Sequence, residues 1–240
     1  MRYPGGKGRC FQHIVSMMPP HAVYIEAFLG GGAVLRNKLP AEWSIGIDLD
    51  PAVASLWDRE GIEGVKIVNG DAIDFLSTYQ FEGDELIYCD PPYLQETRRK
   101  KRIYRYEYDR LQHELLLETL LKTRCRVILS GYRSRLYDEK LAKWTAVDFP
   151  GDSHIGPRTE TVWLNFDVPE KLHDYRFIGC TFRDREGIKR RHDGIFKRIA
   201  ALPALERNAI LNHLTETYSD CASPPLRPAN NFGRVEEARR

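Results

Sequence analysis

Residues 90–93 read Asp-Pro-Pro-Tyr and follow the apolar run ELIYC. Two successive prolines have no N–H to donate and a fixed φ, so neither a strand nor a helix continues through them. The chain leaves a strand, presents the Asp90 carboxylate, turns rigidly over Pro91 and Pro92, and displays the ring of Tyr93. A carboxylate accepts hydrogen bonds, and an aromatic ring offers a face for stacking.

Two further patterns bear on what such a turn could act on. In EAFLGGGAVL, Gly30, Gly31 and Gly32 stand between a strand-like run and a helix. Glycines there allow close backbone approach to a ligand, and the helix N-terminus favours negative charge. The spacing is not G-x-G-x-x-G, so a dinucleotide is not favoured. The next strand-like run ends GIDLDP, placing Asp48 where an acid commonly holds a ribose hydroxyl in folds of this kind, with Asp50 as the cap of the following helix. A third run ends VNGDAIDF and offers Asp71. Glycines and two acids at consecutive strand ends describe a pocket for a nucleoside-type ligand. The segment YPGGKG adds Tyr3, two glycines and Lys7, a cation on a pliable stretch suited to a ligand carboxylate.

These residues need a scaffold that brings strand ends together. Strands are expected at 23–28, 44–48, 65–69, 85–89, 126–131, 145–149 and 159–166, all enriched in Val, Ile, Tyr or Phe. Phe11, Ile14, Val15 and Met18 have helical spacing, Asp50-Pro51 opens a second helix, and 109–122 forms a leucine-rich third. Strand–helix alternation predicts an α/β fold: a seven-stranded, mostly parallel Rossmann-like sheet with helices on both faces. The last two strands have only PGDSHIGPR between them and are expected to close one edge as an antiparallel hairpin. From about residue 169 the pattern becomes helical and basic, and 219–240 is Pro-rich and polar. The expected organisation is a core over 1–168, a small helical extension over 169–218 and a disordered tail over 219–240.

The 240-residue chain is 42% hydrophobic and 29% charged with a net charge of +2, an ordinary balance for a globular protein. Its five cysteines have no C-x-x-C pair and its seven histidines no metal-ligand spacing, so no disulfide framework or metal is expected and the histidines read as structural or surface. MRYPGGKGRC has no apolar segment after its cations, and no run approaches a bilayer span, so a cytoplasmic protein without membrane association is expected.

Taken in order, YPGGKG, EAFLGGGAV and DPPY resemble the blocks of the Dam-like, S-adenosylmethionine-dependent DNA N6-adenine methyltransferases. The resemblance covers roughly residues 1–166. It implies the class I methyltransferase fold and assigns the methyl donor to Tyr3, Lys7, Phe28, Gly30, Asp48, Asp71 and Asp90, with Asp71 alternatively only a helix cap. It makes Asp90, Pro91, Pro92 and Tyr93 the catalytic turn. The chemistry agrees. An adenine amino group is a poor nucleophile because its lone pair is delocalised into the ring. Asp90 and a carbonyl of the turn, fixed by the prolines, can accept its two N–H groups and favour a pyramidal nitrogen. Tyr93 can stack on the base, which must leave the helix to reach the turn. Methylation of cytosine N4, RNA adenine or a glutamine amide uses a similar X-Pro-Pro-Tyr turn. The Asp favours adenine by resemblance; DNA against RNA stays open, as does a silent binding module.

Residues 98–110, RRKKRIYRYEYDR, interleave seven cations with Tyr104, Tyr106 and Tyr108 beside that turn. Cations neutralise phosphates and rings stack on bases, so double-stranded DNA is the expected partner of a monomer or weak dimer. Arg98, Arg102, Tyr104 and Arg105 are the expected base-side contacts. Lys189, Arg190 and Arg191, on a later helix, are the expected phosphate contacts. Relatives of the Dam-like family commonly carry a target-reading segment between the glycine and Pro-Pro-Tyr blocks. Residues 33–89 are used up here by strands and helices, so the reader must lie elsewhere, a departure that puts the family's best-known target, GATC, in doubt for this chain.

Overall fold

Runs of Val, Ile, Leu and Tyr become the strands of one sheet in the computed structural model, which describes residue 8 and residues 10–98, 105–153 and 156–218. In chain order the strands are β1 (Val23–Glu26), β2 (Trp43–Asp48), β3 (Val65–Asn69), β4 (Glu85–Cys89), β5 (Arg126–Gly131), β6 (Thr145–Ser153) and β7 (Gly156–Leu164). Their spatial order is β3-β2-β1-β4-β5-β7-β6. β1 to β5 pair in parallel, while β7 runs antiparallel between β5 and β6. This is the class I methyltransferase topology. The expected edge hairpin is present, and β7 is its inner strand.

Helices α1 (Phe11–Val15), α2 (Ala33–Asn37), α3 (Pro51–Glu60), α4 (Ala72–Thr78), α5 (Arg110–Lys122) and α6 (Arg135–Lys140) accompany the sheet, and α7 (Phe182–Ala200) and α8 (Ala204–Thr217) follow it. β1 and β4 are buried on both faces, as strands between two helical layers must be. One face packs Ile25, Ile45, Ile87 and Leu129 against Leu76, Leu116, Leu117 and Tyr137; the other packs Tyr24, Leu86 and Ile128 against Ile14, Val15 and Met18. Burying such side chains contributes about 1.5–3 kcal/mol each relative to exposure.

Several boundaries differ from expectation. α1 stops at Val15, because the N–H groups of Met17 and Met18 reach back only three residues, to Ile14 and Val15. Met18 is nonetheless fully buried. β1 stops at Glu26; Ala27 still donates to the Tyr88 carbonyl, but Leu29 bonds Ile47 instead as the chain bends into the glycines. The hairpin ladder continues past Phe149–Glu160 to Ser153–Gly156, through residues expected to be a connection. Pro150 is tolerated there because β6 is an edge strand and needs no second partner. The expected disordered tail, together with Tyr3, Lys7, Arg102 and Tyr104, lies outside the described residues.

Candidate active site

Strand order reverses at β1, whose neighbours are β2 and β4. In open α/β sheets the crevice at such a reversal, outside the carboxyl ends of the strands, is the ligand site. β1 and β4 run in register, Glu26 beside Tyr88, so the glycine turn after β1 and the Asp-Pro-Pro-Tyr turn after β4 emerge side by side.

The glycine turn has a specific shape. Gly30 and Gly32 have φ of 46° and 59°, a region that favours glycine. A Cβ at Gly32 would stand 2.1 Å from Trp57 Cζ2, so no larger residue fits. The Trp57 indole N–H donates to the Gly30 carbonyl at 3.0 Å, and the Arg36 guanidinium lies over the ring, 3.8 Å from its centroid. Trp57, on α3, thus forms the floor of the turn.

Asp48 ends β2 and ties the two strand ends together. One carboxylate oxygen accepts the Gly30 N–H at 2.7 Å and the other the Asp50 N–H at 2.8 Å. Burial pushes its pKa up, and these two N–H donors oppose that. A carboxylate oxygen has two lone pairs, so each can still accept from a ligand hydroxyl. Asp50 caps α3 through the Ala52 N–H, as the sequence predicts. Asp71 is more committed. It caps α4 through Ile73 at 2.7 Å, and its second oxygen accepts the Tyr108 hydroxyl at 2.8 Å.

Tyr108 therefore differs from its reading as one of the rings interleaved with cations for nucleic acid. It is 3% exposed and stands edge-on to Phe28 at 5.3 Å, bracing the pocket from inside. Phe28 itself stands two residues before Gly30, at the entry to the glycine turn.

The catalytic-turn residues follow β4 directly. Pro91 is buried, while Asp90, Pro92 and Tyr93 are half-buried. Tyr93 donates its hydroxyl to Glu160 on β7 at 3.2 Å and meets the Tyr132 ring edge-to-face at 4.5 Å. Tyr132 directly follows β5, and its Ser-Gly-Tyr stretch, which in sequence reads either as lining of a base pocket or as a plain turn, builds an aromatic corner with Tyr93. Beneath it, the buried Tyr88 and Ser130 hydroxyls are bonded at 3.1 Å.

Glu26 opens the EAFLGGGAV block but carries no role in the sequence reading. It is 4% exposed at the end of β1, and its carboxyl accepts both the Tyr24 hydroxyl and the Leu35 N–H at 2.9 Å. Burial first, and the charge of Asp90 in addition, push its pKa up to about 8, which holds it protonated at neutral pH and avoids a second negative charge beside Asp90. The signal that could have found it is an acid within an otherwise apolar strand.

The cations divide sharply. Arg98 forks onto Glu107, with its Nη1 contact at 3.0 Å, and its side chain is only 4% exposed. Its side chain is turned inward and is not displayed to solvent. Arg105 is exposed and reaches toward Asp50 at 3.4 Å. Lys189, Arg190 and Arg191 all lie on α7, a helix with no buried residue. The site thus brings together Phe28, Gly30, Asp48, Asp71 and Asp90, and leaves the three α7 cations on a separate element.

Among the described residues, no group of His, Cys, Asp and Glu could hold a metal ion, and no helix is long and apolar enough to cross a membrane.

Residues 55–145 match the family model of D12 class N6 adenine-specific DNA methyltransferases. No curated protein matches the sequence. Several solved structures are similar to this chain at low identity. The putative methyltransferase yhhF of Escherichia coli is 14% identical over 70% of this chain and 92% of its own, with a TM-score of 0.47. The 23S rRNA methyltransferase ErmE is 13% identical over 72% of each chain, TM-score 0.46. SMU.1697c of Streptococcus mutans, a putative methyltransferase in complex with SAH, is 13% identical over 64% of this chain and 93% of its own, TM-score 0.44. Residues 55–145 are thus similar to the D12 class N6 adenine-specific DNA methyltransferases, and they lie on a sheet with the class I methyltransferase strand order.

Proposed function

We propose that this protein is a site-specific DNA adenine methyltransferase, moving a methyl group from S-adenosylmethionine to the N6 amino group of a flipped adenine. The observation that carries this reading is the meeting of the glycine turn, Asp48 and the Asp-Pro-Pro-Tyr turn in the crevice between β1 and β4. The matched family segment contains that catalytic turn.

The residues present suit the donor. A glycine turn without side chains, with the Asp48 carboxylate against it, forms a cradle for a nucleoside, and Phe28 and Tyr108 supply an apolar wall. S-adenosylmethionine supplies an electrophilic methyl group on a sulfonium. Everything else is the work of this chain. Asp90 and a carbonyl of the turn accept the two N–H groups of the amino nitrogen, so its lone pair is freed from the ring. The prolines hold those acceptors before the substrate arrives, so little reorganisation is needed at the moment of transfer. Tyr93, steadied by Glu160 and Tyr132, offers its ring to the base. Protonated Glu26 keeps the negative charge of the site on Asp90. The exposed cations of the 169–218 extension grip phosphates, and the segment around Arg105 lies nearer the base.

The test is transfer of radiolabelled methyl from S-adenosylmethionine to unmethylated double-stranded DNA, followed by sequencing of modified bases. Label in N6-methyladenine at a recurring motif is expected. Label in cytosine, or in RNA alone, would replace the substrate named here. Donor binding without transfer to any of these would mark a silent module.

A further inference from the structure

The glycine turn is held on one side by Asp48 and Trp57. On the other it runs directly into α2, whose N-cap is Gly32. α2 has five residues, and a helix so short does not hold its shape by itself. Yet the turn leans on it. Arg36 Nε donates to the Gly31 carbonyl at 3.1 Å while its guanidinium lies over Trp57, and the Leu35 N–H donates to buried Glu26 at 2.9 Å. The far end of α2 therefore needs an anchor.

A segment beyond β7 supplies one. Asp174 is 0% exposed, and its Oδ2 accepts the N–H of Leu39, 135 residues earlier, at 3.1 Å. Arg176 Nη2 donates to the Asn37 carbonyl at 2.7 Å, one of the carbonyls that a helix end leaves without an internal partner. The same guanidinium forks onto Asp174, Nε to Oδ1 at 2.9 Å and Nη2 to Oδ2 at 2.6 Å. The Leu39 carbonyl accepts from Lys38 Nζ at 2.9 Å and meets His173 Nε2 at 3.0 Å. The segment is fixed in its turn. The His173 N–H donates to the Met18 carbonyl at 2.8 Å, its ring stacks on buried His21 with centroids 4.0 Å apart, and Phe177 meets Phe11 edge-on at 5.3 Å. The Arg176 side chain is 51% exposed, so it adds little to the core. What it does is fix the backbone groups that end α2.

We propose that Asp174 and Arg176 are positioning residues for the glycine turn: they clasp the C-terminal end of α2, and α2 carries Arg36 against the turn. Each link is a contact of the structure. Arg176 holds Asn37, α2 joins Asn37 to Arg36, Arg36 holds Gly31 and Trp57, and Trp57 holds the Gly30 carbonyl. Gly30 also gives its N–H to Asp48, so a shift of α2 reaches the acid at the end of β2. The donor-binding unit accordingly runs past β7 to Phe177, and the displayed extension begins with α7. The effect on the methyl donor rests on the reading of this crevice given above; the mechanical link to the turn does not.

The experiment has two arms on the full chain. The first compares amide exchange in the free protein. Arg176→Ala is expected to quicken exchange at Gly32, Leu35 and Arg36 about tenfold and to leave Leu116 and Leu117 of α5 unchanged. Unchanged exchange at the turn, or equal acceleration in α5, overturns the inference, because a residue that only stabilises the fold behaves that way. The second arm is calorimetric titration with S-adenosylmethionine. Arg176→Ala is expected to raise the dissociation constant about three- to tenfold, the scale of coupling within one hydrogen-bond network, with kcat at saturating donor within about twofold. Arg36→Ala should raise it as well. The double variant should fall short of the product of the two effects, since both act on one turn. An unaltered constant in folded Arg176→Ala, or strictly multiplicative effects, overturns the inference. Should Arg176→Ala not fold, Arg176→Lys keeps a cation beside Asp174 without the planar fork and is expected to raise the constant about twofold or more; no change there is equally adverse. A wild type that binds no S-adenosylmethionine, with exchange at the turn quickened as expected, would support the clasp and count against the crevice as the donor site.

Discussion

The carboxyl edge of the sheet and the two C-terminal helices are built on opposite terms. At the edge, polar side chains are held by groups from other elements: Asp48 by the glycine turn, Asp71 by Tyr108, Tyr93 by Glu160, Tyr88 by Ser130. Along α7 and α8 no residue is buried, and the side chains of Arg190 and Arg191 stand in solvent beside that of Lys189. Bond-making demands atoms held to fractions of an ångström. Attraction to phosphates acts over a Debye length of about 10 Å and tolerates mobile side chains. Order is concentrated where geometry decides the outcome, and charge is displayed where it does not.

The strongest way to break this contrast is at Asp90. Asp90→Ala is expected to lower kcat on the order of 100-fold or more, since it deletes a preorganised acceptor used in the transition state. The melting temperature should be near that of the wild type, because Asp90 is half-buried at the edge and not part of the core. A folded variant with near-normal turnover would mean that the edge is not the reacting centre.

Asp48 comes next. Asp48→Ala removes hydrogen bonds to a charged group, worth roughly 1.5–3 kcal/mol each, and should raise the dissociation constant for S-adenosylmethionine by about one to two powers of ten. Calorimetric titration of the folded variant reads this directly. An unchanged constant would leave Asp48 as the tie of the glycine turn and move the ribose contact to Asp50.

A third test acts on the other side of the comparison. Replacing Lys189, Arg190 and Arg191 by Ala should weaken DNA binding without changing which sites are methylated. Each phosphate no longer neutralised should flatten the salt dependence of binding by up to about 0.9 in the logarithmic slope. Replacing Arg102, Tyr104 and Arg105 should alter or relax the motif instead. Salt-titrated binding and methylome sequencing measure the two effects, and the opposite pattern would exchange the two roles.

The sequence made the edge legible where one short stretch carries both pattern and purpose. β3, β4 and β5 fall on the expected residues because β-branched runs end in sharp signals: Asn69 before Gly70, Cys89 before Asp90-Pro91-Pro92, Gly131 after an apolar run. Asp50 caps its helix as its spacing predicts, and Asp71, offered in sequence as a donor contact or else a cap, does cap α4. Partnerships across elements were not legible. Nothing within residues 103–110 says that Tyr108 reaches Asp71, or that Arg98 turns inward to Glu107, since each choice depends on what another part of the chain has already buried. His113 read as a structural or surface histidine for the same reason. Its imidazole is fully buried against the Tyr137 hydroxyl, a partner 24 residues away that only the fold brings to it.

The finest test uses one device that occurs on both sides. α5 and α7 each open with a capping box: Asp109 accepts the Gln112 N–H at 2.8 Å while Gln112 accepts that of Asp109, and Thr181 accepts the Asp184 N–H at 3.1 Å while Asp184 accepts that of Thr181. Losing such a cap costs about 1 kcal/mol wherever it occurs. Where the cost appears should differ. α5 buries His113, Leu116, Leu117 and Leu120, so its first turn is coupled to the core, and Asp109→Ala should lower the midpoint of global urea unfolding. α7 buries nothing, so Thr181→Ala should speed amide exchange in its first turn about fivefold and leave the global midpoint in place. A Thr181→Ala variant that lowers the global midpoint as much as Asp109→Ala would show that the basic helix is welded to the catalytic core. The separation of rigid chemistry from displayed charge would then be one of surface alone.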